Sequence, residues 1–195
     1  MRRTRLPHFT TLLAASALSA SGCASDPAGA SRDLLDTHTG TTLTRLEKPV
    51  ELLSEDVRGS AADPFAYIAP FQTNRMGSYA LYLWVAVPVP ENAAAAAPQI
   101  MCDAKPLTLK SVEGAPAELG LSEPPYPPPA PWSRINYYVL SGADLDCLRR
   151  ASEAVLTLDI GQDLPERFRA DTRVLAPLKE FATEASGTPA AAGQH

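Results

Sequence analysis

Residues 79–87 read YALYLWVAV and form the most strand-like segment of the chain. Side chains alternate between the two faces of a β-strand, and here the members of both alternate sets are apolar. A strand with two apolar faces is typical of the interior of a sheet that is covered on both sides. The segment ends at Pro88 and Pro90, where the backbone donors that a ladder requires are missing. We therefore expect a central strand with a packed layer on each face.

Five further segments combine alternation with β-branched and aromatic residues, namely residues 41–46, 66–71, 107–112, 134–140 and 154–160. Between the last two, Ser141 is a capping residue, and Leu145 and Leu148 follow at a spacing of three, which predicts a short joining helix. This pattern predicts a mostly β fold, a β-sandwich with one short helix between strands. An α+β arrangement with a C-terminal helix near residues 172–185 is the alternative.

The N-terminus has the order of a secretory signal. Three arginines lie within the first five residues, residues 6–20 are largely apolar, and small residues precede Cys23. The apolar stretch is interrupted and falls short of the roughly 18 residues that a membrane-spanning helix needs. Residues 20–23, ASGC, resemble the lipobox of bacterial lipoproteins, although Ala20 stands where that family more often has Leu.

The lipobox resemblance implies an anchor and a location. In that family the cysteine thiol receives a diacylglyceryl group, the chain is cut before it, and the new amino terminus is usually acylated, so attached palmitate is expected. Ala24 after the cysteine implies attachment to the outer membrane, facing the periplasm. The expected organisation is a signal peptide (1–22), a lipidated tether (23–36), one β-rich domain (37–182) and a disordered tail (183–195). An ordinary signal peptide cut after residues 15–17, with Cys23 incidental, is the alternative.

Two segments of the remaining chain are similar to uncharacterised proteobacterial lipoproteins. They are DTHTGTTLTRLEKPVELL at residues 36–53 and NRMGSYALYLWV at residues 74–85. This resemblance implies no particular activity and no catalytic residues.

The charge balance indicates which partners are unsuitable. Without residues 1–22 the chain retains 14 basic and 22 acidic residues, a net charge of −8. Nucleic acids and anionic lipid surfaces are bound through clustered Lys and Arg, and no such cluster is present. The chain is therefore not expected to bind nucleic acid.

Cys102 and Cys147 remain once Cys23 is assigned to the lipid. An even number of cysteines in an oxidising compartment predicts a disulfide, with two unrelated buried thiols as the alternative. Two cysteines 45 residues apart without a neighbouring histidine match no zinc spacing, so neither a metal nor another cofactor is expected.

The residues available for catalysis are few. After removal of the signal, the histidines are His38, in the expected tether, and His195, at the last position. Neither is placed to be held against a nucleophile, so the chain is not expected to be an enzyme. Asp144 and Asp146 would point to different sides of a helix. The run DIGQD at residues 159–163 lacks most ligands of a calcium loop, and a turn is expected there.

The proline-rich stretch SEPPYPPPAPW at residues 122–132 favours a polyproline II conformation. It could expose Tyr126 and Trp132 as a docking segment for an aromatic groove on a partner. Alternatively, it could be a stiff loop or a strap packed on the domain's own sheet.

Three aromatic residues on neighbouring predicted strands, Tyr82, Trp84 and Tyr138, could form a platform for sugar rings, or could belong to the core. The sequence as a whole indicates a non-catalytic interaction or accessory module of the cell envelope. Its expected partner is another envelope protein, bound through a sheet edge or the proline-rich loop. The alternative is a small-ligand or cell-wall glycan binder that uses the aromatic residues.

Overall fold

The YALYLWVAV segment lies within the long strand β5 (Ser78–Pro88), at the centre of an antiparallel sheet. The computed structural model describes residues 31–55, 65–89, 97–161 and 164–186. The other strands are β1 (Ser31–Asp36), β2 (Thr41–Leu46), β3 (Val50–Ser54), β4 (Phe65–Arg75), β6 (Gln99–Cys102), β7 (Lys105–Pro106), β8 (Lys110–Ser111), β9 (Ser133–Val139), β10 (Glu153–Leu158) and β11 (Glu166–Asp171).

All of these strands join one curled antiparallel sheet, so the prediction of a mostly β fold is confirmed. The order is β7-β6-β10-β11-β3-β4-β5-β9-β8, while β2 pairs with β4 and β1 pairs with β2. The hydrogen-bonded pairing is therefore continuous. The described strands form one curled sheet and are not divided between two separate sheets.

The eleven-residue strand β4 is long enough to pair with two strands along one edge. Its first half pairs with β3 and its second half with β2, and the pairing shifts by two residues between Val50↔Ile68 and Arg45↔Phe71. Pro70, which cannot donate to a ladder, lies at this shift. The interruption explains how a proline is accommodated in a central strand.

Two α-helices, α1 (Gly142–Arg150), which joins β9 to β10, and α2 (Ala176–Ser186), and a short 3-10 helix (Ala117–Leu119) complete the described fold. The predicted joining helix is thus confirmed with its cap, because the Ser141 hydroxyl accepts a hydrogen bond from the Asp144 N–H. Asp144 in turn accepts the Ser141 hydroxyl at 2.5 Å and the Thr108 N–H at 3.0 Å. The helix α2 corresponds to the C-terminal helix of the α+β alternative.

Both faces of the sheet are covered, as the pattern of β5 predicted. On one face, Leu83, Val85 and Val87 belong to the larger core, which includes the buried residues of α1 and α2. On the other, Trp84 and Ala86 belong to a smaller core that is closed by residues of the 119–126 loop. The chain thus buries β5 between helices and a loop.

Three predicted segments differ from the structure. Residues 31–36 of the expected tether form β1, because they pair with β2 along their whole length. Residues 183–186 of the expected tail continue α2. The segment 107–112 was expected to be a strand, but only Lys110–Ser111 pairs, against β9. Residues 1–30 and 187–195 lie outside the described residues.

The turn between β4 and β5 holds a non-glycine residue, Met76, in an unfavourable backbone conformation. Met76 and Gly77 both have positive φ, 52° and 85°, as a two-residue type I′ hairpin requires. The Met76 side chain is 99% exposed and therefore contributes no packing. We expect Met76→Gly to raise the free energy of unfolding by about 0.5–1 kcal/mol, because glycine adopts this conformation without steric cost. Urea denaturation measures the change, and Met76→Ala, which keeps the Cβ, should give no such gain.

Candidate functional site

The proline-rich segment is a strap packed on the sheet. Tyr126 is 2% exposed, and its ring lies 5.2 Å from that of Trp84. The Tyr126 hydroxyl donates a hydrogen bond to the Leu46 carbonyl at 3.1 Å. Of the alternatives that the sequence left open, the structure shows the strap, so Tyr126 is not presented to a partner.

The strap also holds a cation against its aromatic ring. The Arg45 guanidinium carbon lies 4.8 Å from the centroid of Tyr126, within the range of a cation–π contact. Burial raises the pKa of the Tyr126 hydroxyl, and the nearby Arg45 charge opposes this rise. Tyr126 therefore acts as a neutral, buried clamp between β2 and Trp84.

The structure does not place Tyr82, Trp84 and Tyr138 on one exposed face, because Tyr82 packs on the same core cluster as Trp84 but Tyr138 does not. Trp84 is fully buried under the strap, whereas Tyr138 is buried in the core on the opposite face. Tyr82 is half-buried and stacks on Phe71 with ring centroids 5.3 Å apart. The single exposed platform that these aromatics could have formed is not present. Trp132, at the end of the strap, is 58% exposed.

Asp36 ties the turn after β1 to the beginning of the strap. One carboxylate oxygen accepts the Ser122 N–H at 2.6 Å, and the other accepts the N–H groups of His38 and Thr39. These backbone donors, Ser122 first, lower the pKa of Asp36 to about 2.

Because the pKa of Asp36 is lowered, its contribution to the stability of the fold should depend on pH. Its pKa lies below that of an unfolded aspartate, about 3.9, so its contribution to stability is present above pH 4. That contribution is lost as the pH falls towards 2. We expect an NMR titration to give Asp36 a pKa of about 2, and the stability difference between wild type and Asp36→Asn to shrink between pH 4 and pH 2. A measured pKa near 4 would contradict the hydrogen bonds between Asp36 and these backbone N–H groups.

Cys102 and Cys147 form a disulfide between β6 and α1, with Cα atoms 6.2 Å apart. The predicted bridge is thus confirmed. Cys23, the predicted lipidation site, lies outside the described residues.

The polar residues considered for catalysis do not converge. The Asp144 carboxylate accepts hydrogen bonds from the Ser141 hydroxyl and the Thr108 N–H, whereas Asp146 pairs with Arg149 at 3.0 Å. The side chain of His38 is 82% exposed, and the Asp159 carboxylate accepts the Gly161 N–H as in a turn. In the part of the chain that the structure describes, no three His, Cys, Asp or Glu side chains are grouped as metal ligands would be. Asp163 and His195 lie outside that part.

The feature that sequence reasoning missed is the free edge of β1. This strand pairs with β2 on one side, and no described strand pairs with its other side. Leu34 is 41% exposed and Leu35 is 64% exposed. Leu34 lies opposite Leu43, on the strap side, and Leu35 lies opposite Thr42, so the two leucines project from opposite faces. The adjacent leucines in SRDLLD were the available signal, but their charged neighbours obscured it.

No protein family, curated protein or solved structure matches this chain. Neither described helix is long and apolar enough to span a membrane.

Proposed function

We propose that this protein is a lipid-anchored, non-catalytic interaction module of the cell envelope, attached to the outer membrane and facing the periplasm. Its partner is another envelope protein, which adds an extended segment to the free edge of β1. The single observation that carries this proposal is that edge, with Leu34 and Leu35 exposed beside it.

Strand addition suits β1 for physical reasons. An edge strand presents unpaired N–H and C=O groups, and a partner segment can satisfy them while pockets for its alternate side chains give specificity. β1 has six residues, whereas β7 and β8, which end the main order of the sheet, have two residues each. A partner strand would also cover both exposed leucines, one on each face. Among the described terminal strands, β1 thus offers the longest edge.

The anchor is supported by the N-terminal sequence and the disulfide. A disulfide that closes a long loop is typical of proteins that fold in an oxidising compartment, which agrees with export. Cys23 lies eight residues before Ser31, so an extended linker would span at most about 28 Å. The edge of β1 would therefore remain close to the membrane surface, within reach of membrane-associated partners.

Lipidation is tested by metabolic labelling. We expect labelled palmitate to be incorporated into the wild-type chain and not into Cys23→Ala. The reason is that Cys23 is the residue expected to carry the thioether-linked lipid. Cys102→Ala/Cys147→Ala is the matched control and should be labelled as the wild type is. Absence of label from both the wild type and Cys23→Ala would contradict the anchor.

Docking is tested by placing charge on the edge. Leu34→Lys/Leu35→Lys introduces the residue that natural edge strands use to prevent pairing. Chemical crosslinking in intact cells should join the wild type to a partner, and the double variant should lose at least nine-tenths of that product. The control variant Val174→Lys changes an apolar residue that is 41% exposed, as Leu34 is. This variant should retain the crosslinked product.

Three results would contradict the proposal. The first is an equal loss of the crosslinked product in both variants, and the second is no loss of that product in either. The third is a crosslinked product composed of two copies of this chain. Equal thermal midpoints of the three proteins would establish that the comparison reports on docking and not on unfolding.

A further inference from the structure

A polar cleft lies between the C-terminal half of α2 and the strands β1, β2 and β4. Its volume is about 210 Å³. The wall is formed by Phe181, Glu184 and Ala185 of α2, and the floor by side chains of the three strands. This volume is below the 300–1,000 Å³ of sites for drug-sized ligands, and suits a single functional group on a short stem.

The floor is a row of polar residues set by the strand register. Asp33 of β1 lies opposite Thr44 of β2, and Thr44 lies opposite Gln72 of β4. Directly opposed residues project from the same face, so the three side chains line up across the sheet. The Thr44 hydroxyl donates a hydrogen bond to the Asp33 carboxylate at 2.6 Å. The row thus runs from the open edge of the sheet to its buried interior.

Gln72 ends this row at the closed side of the cleft. It is 7% exposed, and its side chain lines the cleft. In the described part of the chain its amide has no hydrogen-bond partner, and it is not among the fully enclosed unpartnered polar atoms, so it faces the space of the cleft. A donor and an acceptor are therefore directed into the cleft and available to an occupant.

The charge of the cleft is uniformly negative. Asp33 and Glu184 are its ionisable groups, and no Lys, Arg or His is among its lining residues. The Ser31 hydroxyl donates a hydrogen bond to Glu184, as the Thr44 hydroxyl does to Asp33. Each carboxylate can accept further bonds, because its two oxygens offer about four acceptor positions.

We propose that this cleft binds an alkylguanidinium or alkylammonium group. The two carboxylates would neutralise the cation through charge-assisted hydrogen bonds, the Gln72 amide would accept a further N–H, and Phe181 would contact the aliphatic stem. The cation is either that of a free small molecule or the end of an Arg or Lys side chain of a protein. This site goes beyond the proposed docking at β1 and does not depend on it.

The test is an NMR titration of the full chain, observed at the Gln72 side-chain amide. The free cation is represented by butylguanidinium, with neutral butylurea as its control of the same shape. The protein side chain is represented by a blocked Ala-Arg-Ala peptide, with citrulline in place of arginine as its control. We expect saturable shifts with the charged probes, and binding at least tenfold weaker with the neutral ones.

Variants then assign the binding to the cleft. Asp33→Asn/Glu184→Gln should weaken binding of the charged probes at least tenfold, whereas Glu180→Gln, one turn earlier on α2 and outside the lining, should not. The single edge variant Leu34→Lys, whose side chain projects from the face opposite to Asp33, should also retain binding, which separates this proposal from the docking at β1.

The two sources of the cation are distinguished by affinity. A peptide that binds at least tenfold more tightly than butylguanidinium indicates a protein side chain, and equal or weaker binding of the peptide indicates a free small cation. The proposal is overturned if neither charged probe shifts Gln72, if the neutral controls bind equally well, or if removal of both carboxylates has no effect.

Discussion

Replacing Trp84 with alanine is expected to lower the free energy of unfolding by about 3–5 kcal/mol, the usual cost of truncating a buried Trp or Phe. Trp84 is fully buried between the sheet and the strap, and Tyr126 packs against its ring. Its loss removes the surface on which the strap rests. Guanidinium denaturation followed by far-ultraviolet circular dichroism measures the change.

The second tryptophan provides the matched control. Trp132 is 58% exposed, so Trp132→Ala should change the free energy of unfolding by less than about 1 kcal/mol. The Trp132→Phe variant should show fluorescence from Trp84 alone, with a blue-shifted maximum and little quenching by iodide. Equal destabilisation by the two alanine substitutions would contradict the placement of Trp84 beneath the strap.

Breaking the bridge between Cys102 and Cys147 is expected to have an effect of similar size. The bridge joins positions 45 apart, and the chain-entropy account assigns a loop of this length on the order of 4 kcal/mol of stabilisation. The loop includes the strap, which carries few backbone hydrogen bonds of its own. Reduction should therefore lower the denaturation midpoint of the wild type substantially.

The double variant Cys102→Ala/Cys147→Ala separates this bridge from other effects of the reductant. It should unfold at the lower midpoint whether or not the reductant is present. An unchanged wild-type midpoint after complete reduction of the bridge, verified by thiol titration, would show that it contributes little to stability.

The centre of the fold was predictable because its signals are local. The alternation of apolar residues in YALYLWVAV predicts a strand covered on both faces, and Leu83 and Trp84 are indeed buried on opposite sides of it. Ser141 likewise marks the beginning of α1, because a capping side chain acts within a few residues of its own position. Such short-range effects leave a signature in any single sequence.

The edge of the sheet was not predictable in the same way. β1 is exposed on both faces, so its residues SRDLLD show no apolar alternation and suggested a tether. β11, ERFRAD, lies inside the sheet and has one buried face, but only Phe168 and Ala170 carry its apolar signal. A strand that is held mainly by its backbone pairing leaves little trace in its side chains.

The polar cleft could not be foreseen for a different reason. Asp33 and Glu184 are far apart in the sequence and meet only because α2 packs across β2 and β4. Gln72 directly follows the predicted strand segment 66–71, but the pattern gave no sign that its amide would line a cleft. Sites formed by distant segments become visible only once the register of the strands is known.

The central claim is that a partner docks on the free edge of β1, and site-specific photocrosslinking in intact cells tests it most directly. The photoreactive residue p-benzoylphenylalanine would replace Leu34, with Val174, which is equally exposed, as the comparison position. The account predicts one adduct with an envelope protein from position 34 and none from position 174. Adducts of equal yield from both positions, or no adduct from position 34, would contradict it.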